Sequence, residues 1–183
     1  MKFEKPLNIG VVVCTPKLFS DKRGFFMESF RKKDFEQFIG KKINFCQENI
    51  SESKFGVLRG LHFQKHPFAQ SKLINVQKGK ILDVCVDLRK NSKFYGKHYS
   101  IFLDDIENKS LFIPKGFAHG FIVLSKSARV SYKVDNYYSP KHESGLNYND
   151  SKLNIDWIID IKSIKLSNKD MNYNNFGSED YII

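Results

Sequence analysis

Leu58-Arg59-Gly60-Leu61-His62-Phe63-Gln64 and, after a short gap, Gln70-Ser71-Lys72-Leu73 set a guanidinium, an imidazole and an ammonium into a strand-like region. Apolar Leu58, Leu61, Phe63 and Leu73 are interleaved with Arg59, His62, Gln64 and Lys72. Alternate side chains of a strand share a face, so His62 and Gln64 point one way and Phe63 the other. Polar side chains turned into a barrel are costly unless they serve a site. Taken alone, the stretch also admits a bland reading, the wet outer face of an amphipathic strand.

The surroundings read as all-β. Strands are predicted at 9–15, 24–30, 43–51, 57–64, 72–78, 80–88, 98–103, 110–113, 120–125, 128–134 and 145–148. Between them stand turn signals such as Lys78-Gly79, Asn91-Ser92, Asp104-Asp105, Pro114-Lys115-Gly116 and Ser139-Pro140. Many short strands with regular turns predict an antiparallel sandwich or barrel. Residues 32–39 carry Phe35, Phe38 and Ile39 on one face of a short helix stopped by Gly40. Residues 52–56 read as a loop. With no repeat or linker, the whole of 1–183 is predicted to be one domain with a core over about 9–170. The Asn-rich tail, 171–183, is expected to be loosely ordered.

A chain of 183 residues with 41% hydrophobic residues can bury a substantial core. No apolar run approaches the length of a membrane span, and Met1-Lys2-Phe3-Glu4-Lys5-Pro6 lacks the apolar segment of a signal peptide. Cys14, Cys46 and Cys85 sit among apolar neighbours and form no paired framework, so free thiols in the cytoplasm are expected. The net charge of +10 is spread along the chain, with no basic run longer than Arg31-Lys32-Lys33. Without a nucleic-acid-binding motif, that balance suits a small polyanion such as a nucleoside diphosphate rather than nucleic acid. In a chain where lysine is the default cation, each arginine has a reason to be there, and bidentate phosphate binding is one.

Further segments converge on one family. Asp21-Lys22-Arg23-Gly24-Phe25-Phe26-Met27-Glu28, Gln47-Glu48-Asn49-Ile50-Ser51, Asp83-Val84-Cys85-Val86-Asp87-Leu88-Arg89 and Pro114-Lys115-Gly116-Phe117-Ala118-His119-Gly120-Phe121 stand in order around the opening stretch. Together, from about Gly10 to Asp170, they make the chain resemble the dTDP-4-dehydrorhamnose 3,5-epimerases. The resemblance implies a cupin-type jelly-roll β-barrel with short peripheral helices. It also implies a homodimer in which residues near the N-terminus reach the partner's site. Tyr148 and Ser151 stand where the family commonly has Trp and Pro, which reads as a packing change.

Epimerisation beside a ketone needs a base, a partner for the enolate oxygen and an acid on the opposite face, and no redox cofactor. His62 is the candidate base, since an imidazole accepts protons at neutral pH. The resemblance implies that Asp170 fixes its tautomer. Lys72 is the implied enolate partner and Tyr132 the implied acid, a phenol that stays protonated at neutral pH. The resemblance further assigns substrate binding to Arg23, Phe26, Glu28, Gln47, Asn49, Arg59, His119, Tyr138 and Lys169. Arg59 and Arg23 suit a diphosphate, and Phe26 and Tyr138 suit stacking. Pro114-Lys115-Gly116-Phe117-Ala118-His119 resembles half of a general cupin metal signature, but the other half is reduced to His62-Phe63-Gln64. His66 lies about 13 Å further along a continuing strand, so no metal site is expected.

The expected activity is epimerisation of a nucleoside-diphosphate 4-keto-6-deoxyhexose at C3 and C5, with dTDP-4-keto-6-deoxyglucose as the leading substrate. A GDP-4-keto heptose, C3-only epimerisation and 3,4-ketoisomerisation stay open, because each needs only small pocket changes. A non-catalytic sugar-nucleotide-binding cupin is the alternative from another class. It has no need of His62, Lys72, Tyr132 and Asp170 together.

Overall fold

The computed structural model describes residues 1–178 and 181. The strands are β1 (Lys2–Glu4), β2 (Val12–Thr15), β3 (Leu18–Asp21), β4 (Gly24–Met27), β5 (Gln47–Lys54), β6 (Leu58–Gln64), β7 (Lys72–Lys78), β8 (Lys80–Asp87), β9 (His98–Asp104), β10 (Ser110–Ile113), β11 (Phe117–Val123), β12 (Ser127–Val134) and β13 (Glu143–Gly145). Helix α1 spans Lys32–Ile39 and the single-turn α2 spans Asn168–Met171. A six-stranded sheet, β1-β2-β10-β7-β12-β5, packs against a five-stranded sheet, β13-β6-β11-β8-β9, while among the described residues β3 and β4 pair only with each other. The result is the antiparallel jelly-roll barrel expected of the sequence.

Three apolar layers hold the barrel together. Between the sheets, Val13, Ile74, Val76, Leu111 and Val130 meet Ile81, Cys85, Leu103, Phe121 and Val123. Outside the five-stranded sheet, Leu58, Leu61, Phe63, Leu82, Val84 and Ile122 are covered by Leu146, Leu153, Trp157 and Tyr181 of the C-terminal segment. Outside the six-stranded sheet, Val12, Leu73 and Phe112 are covered by Phe35 of α1. The Phe35 ring stands edge-on to Phe112 at 5.0 Å. Burying a phenyl ring of this kind stabilises the fold by roughly 2–3 kcal/mol. Because β11 is covered on both faces, every one of its residues is buried. Such strands read as apolar runs rather than as alternation.

Several boundaries move. β5 continues through Lys54, so the loop predicted at 52–56 shrinks to a turn whose Gly56 has φ +77°. Where the sequence predicts only a turn followed by one strand, the structure has the β3–β4 hairpin. All of β3 is exposed, and a ribbon wet on both faces carries no burial pattern to read. The described part of the tail departs most from expectation. Phe176 stacks on Tyr181 with ring centroids 5.8 Å apart, and Tyr181 meets Phe63 edge-on at 5.7 Å. A few aromatic side chains supply the burial that the polar average of the segment conceals.

Candidate active site

A cavity of about 360 Å³ opens between the two sheets. The six-stranded sheet lines it with Gln47, Asn49, Ser51, Lys72 and Tyr132, and the five-stranded sheet with Arg59, His62, His119, Phe121 and Glu143. Arg59 and His62 are three residues apart, and strict alternation would send them to opposite faces. The β6–β11 ladder resolves this with a bulge. His119 pairs with His62 and Phe121 with Arg59, so two steps on β11 oppose three on β6. Gly60 sits inside the bulge at φ +131°, and a Cβ there would lie 2.4 Å from the Gly120 Cα. Only glycine fits such a close approach of two backbones.

The His62 Nε2 lies 2.6 Å from Asp170 Oδ1. Asp170 is held on α2, where its backbone N–H donates to the N-cap Ser167 Oγ at 3.1 Å. Burial pushes the Asp170 carboxyl up, but hydrogen bonds from His62, Ser167 and the Gly60 backbone outweigh it, and the net shift is downward. An ionised carboxylate can only accept, so Nε2 carries the imidazole proton and Nδ1 keeps the lone pair.

Beside His62, His119 Nε2 meets both oxygens of the fully buried Asp83, at 2.9 and 3.0 Å. Burial lowers the His119 pKa in spite of Asp83, which makes this imidazole a neutral hydrogen-bond donor. Lys72 Nζ points back across the barrel to the His62 carbonyl at 3.4 Å. Burial lowers its pKa to about 8, against the opposing pull of Asp83 and Glu143. On the same sheet as Lys72 and facing the sheet of His62, burial raises the Tyr132 phenol, so it stays protonated at neutral pH.

The rim is built from a polar network. Gln64 Nε2 donates to the Phe68 and Tyr137 carbonyls at 2.7 and 3.1 Å, and its Oε1 accepts from the Ser139 N–H at 2.6 Å. That latch fixes the loop carrying Tyr138, whose backbone N–H donates to Gln47 Oε1 at 3.0 Å. Gln47 in turn donates to Asn49 Oδ1 at 2.9 Å, and Arg59 Nε donates to Ser53 Oγ at 2.9 Å. Glu143 accepts from the Tyr138 hydroxyl and the Lys169 ammonium. Tyr138 is thereby pushed up to about 12, chiefly by its bond to Glu143.

The cavity thus gathers His62, Lys72, Tyr132, Gln47, Asn49, Arg59, His119 and Tyr138, with Asp170 behind His62 and Lys169 at the rim. Arg23, Phe26 and Glu28 do not line it. Arg23 is exposed at the tip of the β3–β4 ribbon and pairs with Asp21 at 2.5 Å, Phe26 is 71% exposed, and Glu28 pairs with Arg31 at 2.6 Å. Glu143 and Asp83 were not among the expected residues. Asp83 could have been found as a carboxylate inside the apolar run Ile81-Leu82-Asp83-Val84-Cys85. Glu143 lies in a polar segment that offers no such signal. Among the described residues, no three His, Cys, Asp or Glu side chains group as a metal-binding set.

The family model for dTDP-4-dehydrorhamnose 3,5-epimerase matches residues 7–178. The chain belongs to this epimerase family. The dTDP-4-dehydrorhamnose 3,5-epimerase of Shigella flexneri is 46% identical over 94% of both chains. The crystal structure of the epimerase from Elizabethkingia anophelis superposes with a TM-score of 0.94 at 44% identity, covering 99% of both chains. A Legionella pneumophila dTDP-6-deoxy-D-glucose-3,5-epimerase, solved in complex with dTDP-4-keto-L-rhamnose, gives a TM-score of 0.91 at 39% identity over 95% of this chain and 92% of its own. Family membership thus agrees with the site geometry, in which an imidazole and a phenol enter one cavity from facing sheets.

Proposed function

We propose that this chain epimerises dTDP-4-keto-6-deoxyglucose at C3 and C5, giving dTDP-4-keto-L-rhamnose. The observation that carries the reading is the opposition of His62 and Tyr132, each on its own sheet of the barrel. Inversion at carbon requires the proton to leave one face and return to the other. A sugar lying between the sheets presents those two faces to the two residues.

In each half of the reaction, His62 Nδ1 takes the proton from the carbon beside the C4 ketone. The C–H electron pair becomes the enolate double bond, and the carbonyl pair moves onto O4. The Lys72 ammonium stands against that oxygen in a desolvated setting, where a fixed charge is worth far more than in water. Tyr132 then gives its proton to the opposite face of the same carbon, and solvent restores both residues. Asp170 holds His62 in the required tautomer and stabilises the imidazolium. Arg59, Gln47, Asn49 and Tyr138 bind the nucleotide end, and His119 and Glu143 contact the sugar.

Arg23, Phe26 and Glu28 serve a second copy of the chain in this reading. The ribbon carries Phe19, Phe25 and Phe26, which are 53%, 56% and 71% exposed. An aromatic ribbon with no cover on its own barrel suits the resemblance-based expectation of a homodimer. Among the described residues, no helix is long and apolar enough to cross a membrane, and Cys14, Cys46 and Cys85 are unpaired. A cytoplasmic enzyme fits both features.

The test is proton NMR in heavy water with dTDP-4-keto-6-deoxyglucose. Deuterium should enter at C3 and C5 with the native protein and at neither with His62→Ala. Tyr132→Phe should still exchange protons on the His62 face while forming little inverted product. Exchange at C3 alone would contradict the two-centre reaction, and no exchange would overturn the reading.

A further inference from the structure

Gly145 on β13 is the direct cross-strand partner of His62 on β6. In an antiparallel pair, the side chains of opposed residues are each other's nearest neighbours, and Gly145 has none to offer. The space is taken from elsewhere: a Cβ on Gly145 would lie 2.5 Å from the Tyr173 ring. That ring stands edge-on to the His62 imidazole, with centroids 5.6 Å apart and planes at 68°. Resting on the reading of His62 as the base, we propose that Tyr173 is a positioning residue for the His62–Asp170 pair, its ring standing in for the side chain that Gly145 lacks.

The chain on both sides of Tyr173 is tied down. Upstream, α2 is fixed by the Ser167 cap and by the Lys169–Glu143 ion pair. Downstream, the Asn174 carbonyl accepts from the Asn147 N–H at 2.9 Å, and the Phe176 N–H donates to Asp150 Oδ2 at 2.5 Å. The segment after α2 therefore runs along the chain that continues from β13, and it delivers the ring to a set place. Asp170 grips the imidazole at Nε2 alone, which leaves the ring free to pivot about that bond. An edge-on aromatic ring removes the pivot and keeps Nδ1 aimed at the reacting carbon. Small losses of alignment cost large factors in rate. Among the described residues, the buried Tyr173 hydroxyl finds no hydrogen-bond partner. A lone buried hydroxyl is unfavourable, so the ring is the working part.

The experiment compares Tyr173→Phe, Tyr173→Ala and Gly145→Ala by steady-state kinetics, deuterium exchange and thermal melting. Tyr173→Phe should keep kcat and raise Tm by a few degrees. Tyr173→Ala should lower kcat about tenfold with KM changed less than about twofold. Gly145→Ala, which displaces the ring, should behave in the same way. In an Asp170→Asn background, Tyr173→Ala should cost less than about twofold further, because both act through His62. If the alanine variant does not fold, Tyr173→Leu carries the same comparison. A full-rate Tyr173→Ala, a Tyr173→Phe as impaired as the alanine variant, or additive losses in the double variant would each overturn the proposal. Failure of the native protein to exchange any proton would instead overturn the epimerase reading beneath it.

Discussion

His62 Nε2 and Asp170 Oδ1 lie 2.6 Å apart, although the two residues are 108 positions apart in sequence. The contact assigns the proton to Nε2 and the lone pair to Nδ1. Asp170→Asn would keep the shape of that contact while allowing the amide to donate to the imidazole, which favours the wrong tautomer. It should lower kcat by about 10²–10⁴-fold with little change in KM. Steady-state kinetics on a variant with native circular dichroism checks this, and a loss below about tenfold would contradict the tautomer assignment.

As the proposed enolate partner, Lys72 should set the alkaline side of the pH profile. Its pKa is lowered to about 8 because burial disfavours the ammonium. Below that value the charge faces the enolate, and as pH rises through it the charge is lost. The rate should therefore fall on the alkaline side with an apparent pKa near 8. Lys72→Arg, which stays charged, should carry its residual activity to higher pH. Lys72→Met should lower kcat by about 10²–10³-fold, the typical loss on removing one oxyanion partner. A pH profile of kcat/KM that stays flat through pH 8 in the native enzyme would count against this role.

Gly60→Ala should destabilise the fold by about 2–4 kcal/mol. The added methyl meets Gly120 Cα at 2.4 Å in a backbone at φ +131°, and neither strand can retreat without breaking the ladder that aligns His62 with His119. Urea denaturation measures the loss. A change under about 0.5 kcal/mol would mean that the bulge relaxes freely.

The β3–β4 ribbon can be assigned by mixing inactive copies. If Arg23 serves the partner's cavity, Arg23→Ala and His62→Ala proteins should each be weak, and co-expressed they should regain activity, because half of the sites in a mixed dimer are intact. Activity of the mixture no higher than that of the separate variants would place Arg23 outside any shared site.

Much of the barrel was readable in the chain. α1 at Lys32–Ile39, β7 at Lys72–Lys78 and β10 at Ser110–Ile113 fall where periodicity and turn residues put them. Their patterns are local, and glycine or proline marks their ends. β3 was not readable, because strand alternation appears only where one face is buried. The packing of the described part of the tail is not legible either, because Tyr173, Phe176 and Tyr181 are scattered among asparagines, and only the surface they meet reveals their use.

By themselves, the residue types, their order and the family resemblance pointed to a jelly roll and named an imidazole, an ammonium and a phenol as candidates for moving a proton beside a ketone. The tertiary structure decided which of these groups share a cavity and from which side each enters. The β6 bulge turns Arg59 and His62 to one face against their parity. Packing one sheet on the other sets Tyr132 opposite His62, and α2 carries Asp170 to Nε2. The ribbon holds Arg23, Phe26 and Glu28 away from the cavity of their own chain. Such outcomes depend on ladder register and on contacts between residues far apart in sequence. Pairing energies across sheets choose them, and a local pattern of side chains does not record those energies.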